Sequence, residues 1–161
     1  MANPEHLALA REGSAAVNRF ASQNPGVPLD LSGADLSSTQ LQGCSLQAAN
    51  LSGADFAGAN LRNADLSGAD LRNASLAGVD LRSANLRGAD ARGAVIHRAR
   101  LDDADLRGLA MEAIGVGRQL VCTSPSTFQN ARWDRERLEE MLSMLNLNRD
   151  WEIRYEIVPR A

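Results

Sequence analysis

A five-residue period runs through the chain from about residue 29 to residue 113 and restricts its fold more than any other feature. Two clear units read Ala54-Asp55-Phe56-Ala57-Gly58 and Ala64-Asp65-Leu66-Ser67-Gly68. In most units an alanine and a large apolar residue, here called the centre, flank an Asp or Asn at the middle position. A period sustained in this way is typical of repeat architectures, in which each unit buries its apolar residues only against neighbouring units.

The spacing within a unit predicts a three-residue strand followed by a corner. The alanine and the centre lie two residues apart and point to one side of an extended chain, whereas the middle residue points to the other side. The fifth residue, here called the corner residue, is Gly or Asn in eleven of the seventeen units. A type II turn needs such a residue because its second central position has a positive φ. Corners with other residues, such as Ala48 and Arg98, are expected to use another turn type.

These units resemble the pentapeptide repeat family, whose motif is Ala-(Asp/Asn)-Leu-X-X. The resemblance implies an all-β solenoid in the form of a right-handed quadrilateral β-helix, with four units per coil and residues twenty apart stacked. It also implies two interior ladders: Leu36, Phe56, Leu76 and Ile96, and Leu46, Leu66, Leu86 and Leu106. Cys44 stands at an alanine position of the motif, and we expect it to be an inert buried thiol.

Residues 1–28 are predicted to form an N-terminal helical cap. Asn3 precedes Pro4, a pair that suits the start of a helix, and a Pro-Gly pair at residues 25–26 ends the helical pattern. A single helix would place Leu9, Gly13, Ala16, Val17 and Phe20 on one face. Such a helix is expected to cover the open first coil, since a repeat stack needs covers at its ends; a partner-binding helix is the alternative.

The repeat domain is predicted to extend over residues 29–135, followed by a C-terminal helix and strand cap at 136–161. A Ser-Pro pair at residues 124–125 interrupts the phase, and Ala131-Arg132-Trp133 resumes it with a shift of two residues. Asp134 then suits the start of a helix with an apolar face from Leu138 to Leu145. Apolar residues alternate with charged ones in the final segment, which predicts a half-buried strand: Trp151, Ile153, Tyr155 and Ile157. This strand either covers its own last coil or forms a homodimer interface.

Composition excludes several classes of function. The chain has 20 acidic residues and 17 basic ones, giving a net charge of −3, so nucleic-acid binding is not expected. No apolar run approaches the roughly 18 residues of a membrane span. Gly-rich phosphate loops, nucleophile sets and metal-ligand clusters are missing from the sequence, so we predict no enzyme activity, no cofactor and no metal. Two distant cysteines, Cys44 and Cys122, favour a reducing cytoplasm.

The outer faces of the predicted coil suggest where a partner would bind. Asp and Arg alternate on three faces, and the fourth carries less charge: Ala57, Ser75, Ala77, Val95 and His97. We interpret this face as a docking surface on a rigid scaffold or protein-interaction module whose partner is unidentified. The alternative is that it is ordinary solvated surface filled by small residues. The resemblance also offers a DNA mimic that inhibits or protects DNA gyrase. With eleven acidic and eight basic residues between 29 and 113, the repeats are too nearly neutral for that role.

Overall fold

The computed structural model describes residues 1–110, 131–136 and 139. Two helices precede the repeats: α1 at Pro4–Glu12 and α2 at Ser14–Gln23. Within the described residues, no helix combines the length and apolar character needed to cross a bilayer.

The helical start at Asn3 is confirmed, but the single helix predicted for this segment is wrong. The side chain of Asn3 accepts hydrogen bonds from the backbone N–H groups of Glu5 and His6, at 2.9 and 3.4 Å. The chain breaks at Gly13, which has φ 106° and ψ −175° and whose N–H closes α1 on the carbonyl of Leu9. This backbone conformation suits glycine, so Gly13 separates two helices instead of lying on the face of one.

The repeats pair through parallel bridges between residues that lie 20 apart, from Asp30 with Asn50 to Asp90 with Ala110. Because a bridge recurs every five residues, each coil has four sides, as the family resemblance implied. The pairing involves single residues and not the three-residue strands that the spacing predicted. Asn50, for example, donates its N–H to Leu29 and accepts from Leu31, both at 2.8 Å, before the chain turns.

We number the four sides by their columns of bridged middle residues. Side 1 holds Asp30, Asn50, Asp70 and Asp90; side 2 holds Asp35, Asp55, Ser75 and Val95; side 3 holds Gln40, Asn60, Asp80 and Arg100; side 4 holds Ser45, Asp65, Asn85 and Asp105. The residue after each centre is here called the turn residue and is followed by the corner residue of the same side.

The interior is apolar throughout the described coils. Both predicted ladders are buried, and the fully buried side chains include Phe56 at 0% exposure. No polar or charged residue of the described part is buried, so the core depends on apolar burial and contains no polar network. Cys44 is 1% exposed, and this burial raises the pKa of its thiol to about 12.

The expectation that Ala48 and Arg98 use a different turn type is wrong. Their φ values are 54° and 57°, in the same left-handed region as the 65° of Gly43. The hydrogen-bond ladder explains this conformation, because the N–H of a corner residue donates to the coil above. The N–H of Ala48 donates to the carbonyl of Ser67 at 2.9 Å, as a glycine corner does. The ladder therefore imposes a positive φ even where a Cβ opposes it.

The described part of the C-terminal region continues the pairing. Arg132 bridges to Asp105 with an offset of 27 residues instead of 20. The extra seven residues are one five-residue unit plus two residues, which agrees with the predicted shift of two. Its N–H donates to Ala104, and its carbonyl accepts from Leu106, both at 2.8 Å. The side chain of Asp134 accepts from the N–H of Gly108, and residues 135, 136 and 139 are helical. The predicted apolar face from Leu138 to Leu145 and the strand at 151–157 lie outside the described residues.

Candidate protein-interaction surface

The Asp and Asn residues at middle positions have a structural role that the sequence analysis missed. Their Oδ1 atoms accept a hydrogen bond from the backbone N–H of the turn residue two positions later. Asp55 binds the N–H of Ala57 at 2.9 Å, and Asn60 binds that of Arg62 at 3.2 Å. Asp and Asn side chains are short enough to reach the backbone two residues on, which is the signal that could have predicted this bond.

The charges on the outside are arranged as local pairs. Where a turn arginine follows a middle aspartate, its Nε and Nη2 atoms donate hydrogen bonds to the two carboxylate oxygens. Arg72 does so with Asp70 at 2.8 and 2.6 Å, and Arg82 with Asp80 at 2.8 and 2.5 Å. These guanidinium hydrogen bonds hold the pKa values of the two carboxyl groups below their usual range. The surface charge is therefore neutralised within the units that contain such a pair.

Polar side chains also connect neighbouring coils. The Nδ2 atom of Asn50 donates to Asp30 at 3.1 Å, and that of Asn85 donates to Asp65 at 3.0 Å. These bonds lie between coils that the backbone ladder already pairs. The outer surface consequently combines fixed backbone with oriented side chains, which suits a preorganised binding surface.

Side 2 brings together the five residues predicted as a docking surface. Ser75 and Val95 bridge to each other in adjacent coils. Ala57, Ala77 and His97 stack at the turn, because the corner residue next to each of the first two donates its N–H to the carbonyl of the next, at 2.8 and 2.7 Å. All five side chains are partly buried. At the middle positions, Ser75 and Val95 give the third and fourth coils of side 2 small and weakly polar groups, whereas the first two coils carry Asp35 and Asp55 there.

The two N-terminal helices contact the first coil through side chains that replace backbone partners. Nδ1 of His6 accepts the N–H of Asp30 at 2.9 Å. The amide of Asn18 donates to the carbonyl of Gly43 at 3.0 Å and accepts the N–H of Ser45 at 2.7 Å, as the backbone of a preceding coil would. Val17, at 0% exposure, packs into the same apolar core as the repeats. Through these contacts both helices pack against the first coil.

A cavity of about 460 Å³ lies between the end of α2 and the first corner of side 4. Its lining includes Phe20, Val27, Gln47 and Ala48, and it contains no titratable side chain. The side chains that line it therefore provide no group for general acid–base chemistry. Elsewhere among the described residues, no group of three or more His, Cys, Asp or Glu is placed to hold a metal ion.

Comparison with known proteins identifies the repeats. The family model for pentapeptide repeats matches residues 30–68 and 69–108, in eight copies. Among solved structures, a pentapeptide repeat protein of the Arabidopsis thaliana thylakoid lumen is 30% identical, with a TM-score of 0.42. The match covers 63% of this chain and 59% of that one. No curated protein matches the chain.

Two other solved structures come from different biological settings. HetL, a pentapeptide repeat protein involved in heterocyst differentiation regulation in the cyanobacterium Nostoc, is 28% identical over 66% of this chain and 52% of its own, with a TM-score of 0.41. QnrB1, a plasmid-mediated fluoroquinolone resistance protein, is 20% identical over 74% of this chain and 84% of its own, with a TM-score of 0.41. The chain spans little more than half the length of the Arabidopsis protein and of HetL.

Proposed function

We propose a function from one premise: the chain belongs to the pentapeptide repeat family. The chain is a non-enzymatic, rigid protein-interaction module whose described repeats form one right-handed quadrilateral β-helix. In this proposal the module works in the cytoplasm, residues 1–28 and 136–161 act as caps, and the repeat domain occupies 29–135. No chemistry is required of the module beyond holding a surface in a fixed shape.

The contrast between side 2 and the other sides is the observation that carries this proposal. Bidentate Asp–Arg pairs lie on side 1 at Arg72, on side 3 at Arg82 and on side 4 at Arg107. On side 2, Ser75 and Val95 occupy the corresponding middle positions, so a partner meets small groups there. Docking on side 2 therefore displaces less tightly bound water and breaks fewer charge pairs than docking elsewhere.

Affinity capture from the native host tests the docking surface with two matched variants. Ala77→Glu places a charge at a turn position of side 2, and Ser67→Glu places one at a turn position of side 4. Both positions are partly buried. We expect Ala77→Glu to lose a protein that wild type and Ser67→Glu both capture. Equal capture by all three proteins would contradict the assignment of side 2.

A supercoiling assay separates this proposal from a DNA mimic. The described repeats carry locally paired charges, whereas a mimic of duplex DNA needs a strong and continuous negative field. We expect no effect of the protein on supercoiling by DNA gyrase. Inhibition of the enzyme, or its protection from a quinolone at low micromolar protein, would overturn the scaffold proposal in favour of the mimic.

The role of the C-terminal segment is a separate proposal. The alternation of Trp151, Ile153, Tyr155 and Ile157 suits either a lid on the same chain or a homodimer interface. Light scattering on wild type and on a Trp151→Glu, Ile153→Glu variant decides between them. A dimer that the double variant disrupts supports the interface, and a monomeric wild type supports the lid.

A further inference from the structure

The arginines at turn positions fall into two groups according to the residue two positions earlier. Where that residue is Asp, the arginine donates hydrogen bonds to the aspartate of its own unit, as at Arg72, Arg82, Arg92 and Arg107. Where it is Asn, as at Asn60 and Asn85, no such pair forms, because an amide has only one oxygen to offer. The middle residue therefore decides whether a turn arginine is already paired.

Arg62 is the clearest case of an unpaired arginine. The Oδ1 atom of Asn60 accepts the backbone N–H of Arg62 at 3.2 Å, and its Nδ2 atom donates to Gln40 at 3.1 Å. The amide then has no free oxygen directed at the guanidinium. Among the described residues, the Nε atom of Arg62 is a buried side-chain donor without a hydrogen-bond partner. A buried donor in this state is destabilising, and pairing it removes the penalty.

The surroundings of Arg62 are neutral and polar. In the first two coils, side 3 presents amide side chains, since its middle positions are Gln40 and Asn60 and its outward turn and corner positions include Gln42 and Asn63. No carboxylate occupies the outer positions of side 3 in these coils. By contrast, Arg87 on side 4 has a carboxylate nearby: the pKa of Asp105 is lowered mainly by its hydrogen bond from Arg107 and also by the charge of Arg87. The carboxylate of Asp80, in the next coil of side 3, is already bound by Arg82. In the first two coils the side of Arg62 therefore supplies amide groups but no anion.

We propose that Arg62 receives a carboxylate from an acidic side chain of a protein partner. This inference rests on the proposed function, in which the partner is a protein, and it adds the chemistry of one contact. The guanidinium can swing outward without giving up a hydrogen bond, because its Nε has none to lose. An arginine paired with the aspartate of its own unit would first have to break two hydrogen bonds to that aspartate. A planar guanidinium also matches a carboxylate through two parallel hydrogen bonds.

The structure provides a variant that blocks the site without removing the arginine. Asn60→Asp places a carboxylate two residues before Arg62. On the same side, Asp80 binds the guanidinium of Arg82 in this arrangement. Asn85→Asp makes the same change beside Arg87 on side 4 and is the matched control. Arg62→Gln removes the cation and identifies its resonance in an NMR spectrum of arginine Nε–Hε groups. Backbone amide spectra of all variants establish that the fold is retained.

The titration uses tetraglutamate peptide as the probe, with tetraglutamine and inorganic phosphate as comparison ligands. We expect a saturable shift of the Arg62 Nε–Hε resonance with tetraglutamate, no such shift with tetraglutamine, and only a weaker one with phosphate. Affinity should fall about tenfold in Asn60→Asp, since an internal carboxylate competes for the same donors, and should stay unchanged in Asn85→Asp.

Three results would overturn the inference: no shift of the Arg62 resonance, equal tetraglutamate affinity in Asn60→Asp, or a phosphate response as strong as that to tetraglutamate. The last would identify a general site for small anions. Failure here remains distinct from failure of the proposed function, because the capture experiment depends on Ala77 and side 2 and does not use Arg62.

Discussion

Replacing a corner residue by glycine should stabilise this fold, and Ala48→Gly is the sharpest case. Ala48 has φ 54° and an exposed side chain, so the substitution removes little apolar burial. A residue with a Cβ pays about 1–2 kcal/mol for a left-handed backbone, and glycine pays about 0.5–1 kcal/mol in extra chain entropy. We therefore expect the free energy of unfolding to rise by about 0.5–1 kcal/mol.

The reverse substitution, Gly68→Ala, is the matched control on the same side of the coil. Gly68 has φ 66°, and a Cβ built on it would meet nothing within 4 Å. The cost is then conformational and not steric, so we expect a loss of about 1 kcal/mol. Asn73→Gly should change stability less than Ala48→Gly does, because asparagine tolerates a positive φ better than alanine.

Urea unfolding of the three variants and wild type measures these differences. With a slope of about 2 kcal/mol per M, the midpoint should rise by about 0.2–0.5 M for Ala48→Gly and fall by a similar amount for Gly68→Ala. The slope itself should not change, since neither variant alters the surface exposed on unfolding. A lower midpoint for Ala48→Gly, or an unchanged one for Gly68→Ala, would refute the account of the corners.

Three further outcomes follow from the structure. The stabilising effect of Arg72, measured as the difference in unfolding free energy between wild type and Arg72→Gln, should be present above about pH 4. It should weaken as the pH falls further and protonates Asp70, whose pKa is lowered in the fold by the hydrogen bond from Arg72; a difference that does not depend on pH would contradict the pairing. In a Cys122→Ser variant, Ellman's reagent should label Cys44 only after denaturation, since burial raises its pKa to about 12; labelling of the native protein would contradict that burial. Asn18→Ala should lower the unfolding free energy by about 1–2 kcal/mol through the loss of two hydrogen bonds to the first coil, and an unchanged urea midpoint would contradict the cover assigned to α2.

The interior was predictable because burial acts on the side chains that the period itself reveals. Leu36 and Phe56 are buried as expected, since an apolar residue every fifth position can be buried only on the inside of the coil. The number of sides came from the family resemblance and not from the spacing. A five-residue unit specifies a corner, but not how many corners close a coil.

The corners and the first helix were predicted less well, for related reasons. At Ala48 the sequence argued against a positive φ, but the hydrogen bond to Ser67 in the next coil overrides that local preference. At Gly13 the helical spacing of neighbouring apolar residues concealed a break that depends on a glycine conformation. In both places a contact or a dihedral angle outweighs the periodicity, and periodicity was the only quantity available from the sequence.

The choice between Asp and Asn at the middle position separates folding from surface function. Both residues make the same hydrogen bond to the turn, as at Asp80 and Asn60, so the coil accepts either one. They differ in the acceptors that they offer to the following arginine. Asp80 accepts hydrogen bonds from the guanidinium of Arg82, whereas Asn60 leaves the Nε atom of Arg62 without an acceptor. A change between the two can therefore open or close a binding contact with little effect on the coil, which is how a uniform repeat can acquire a specific surface.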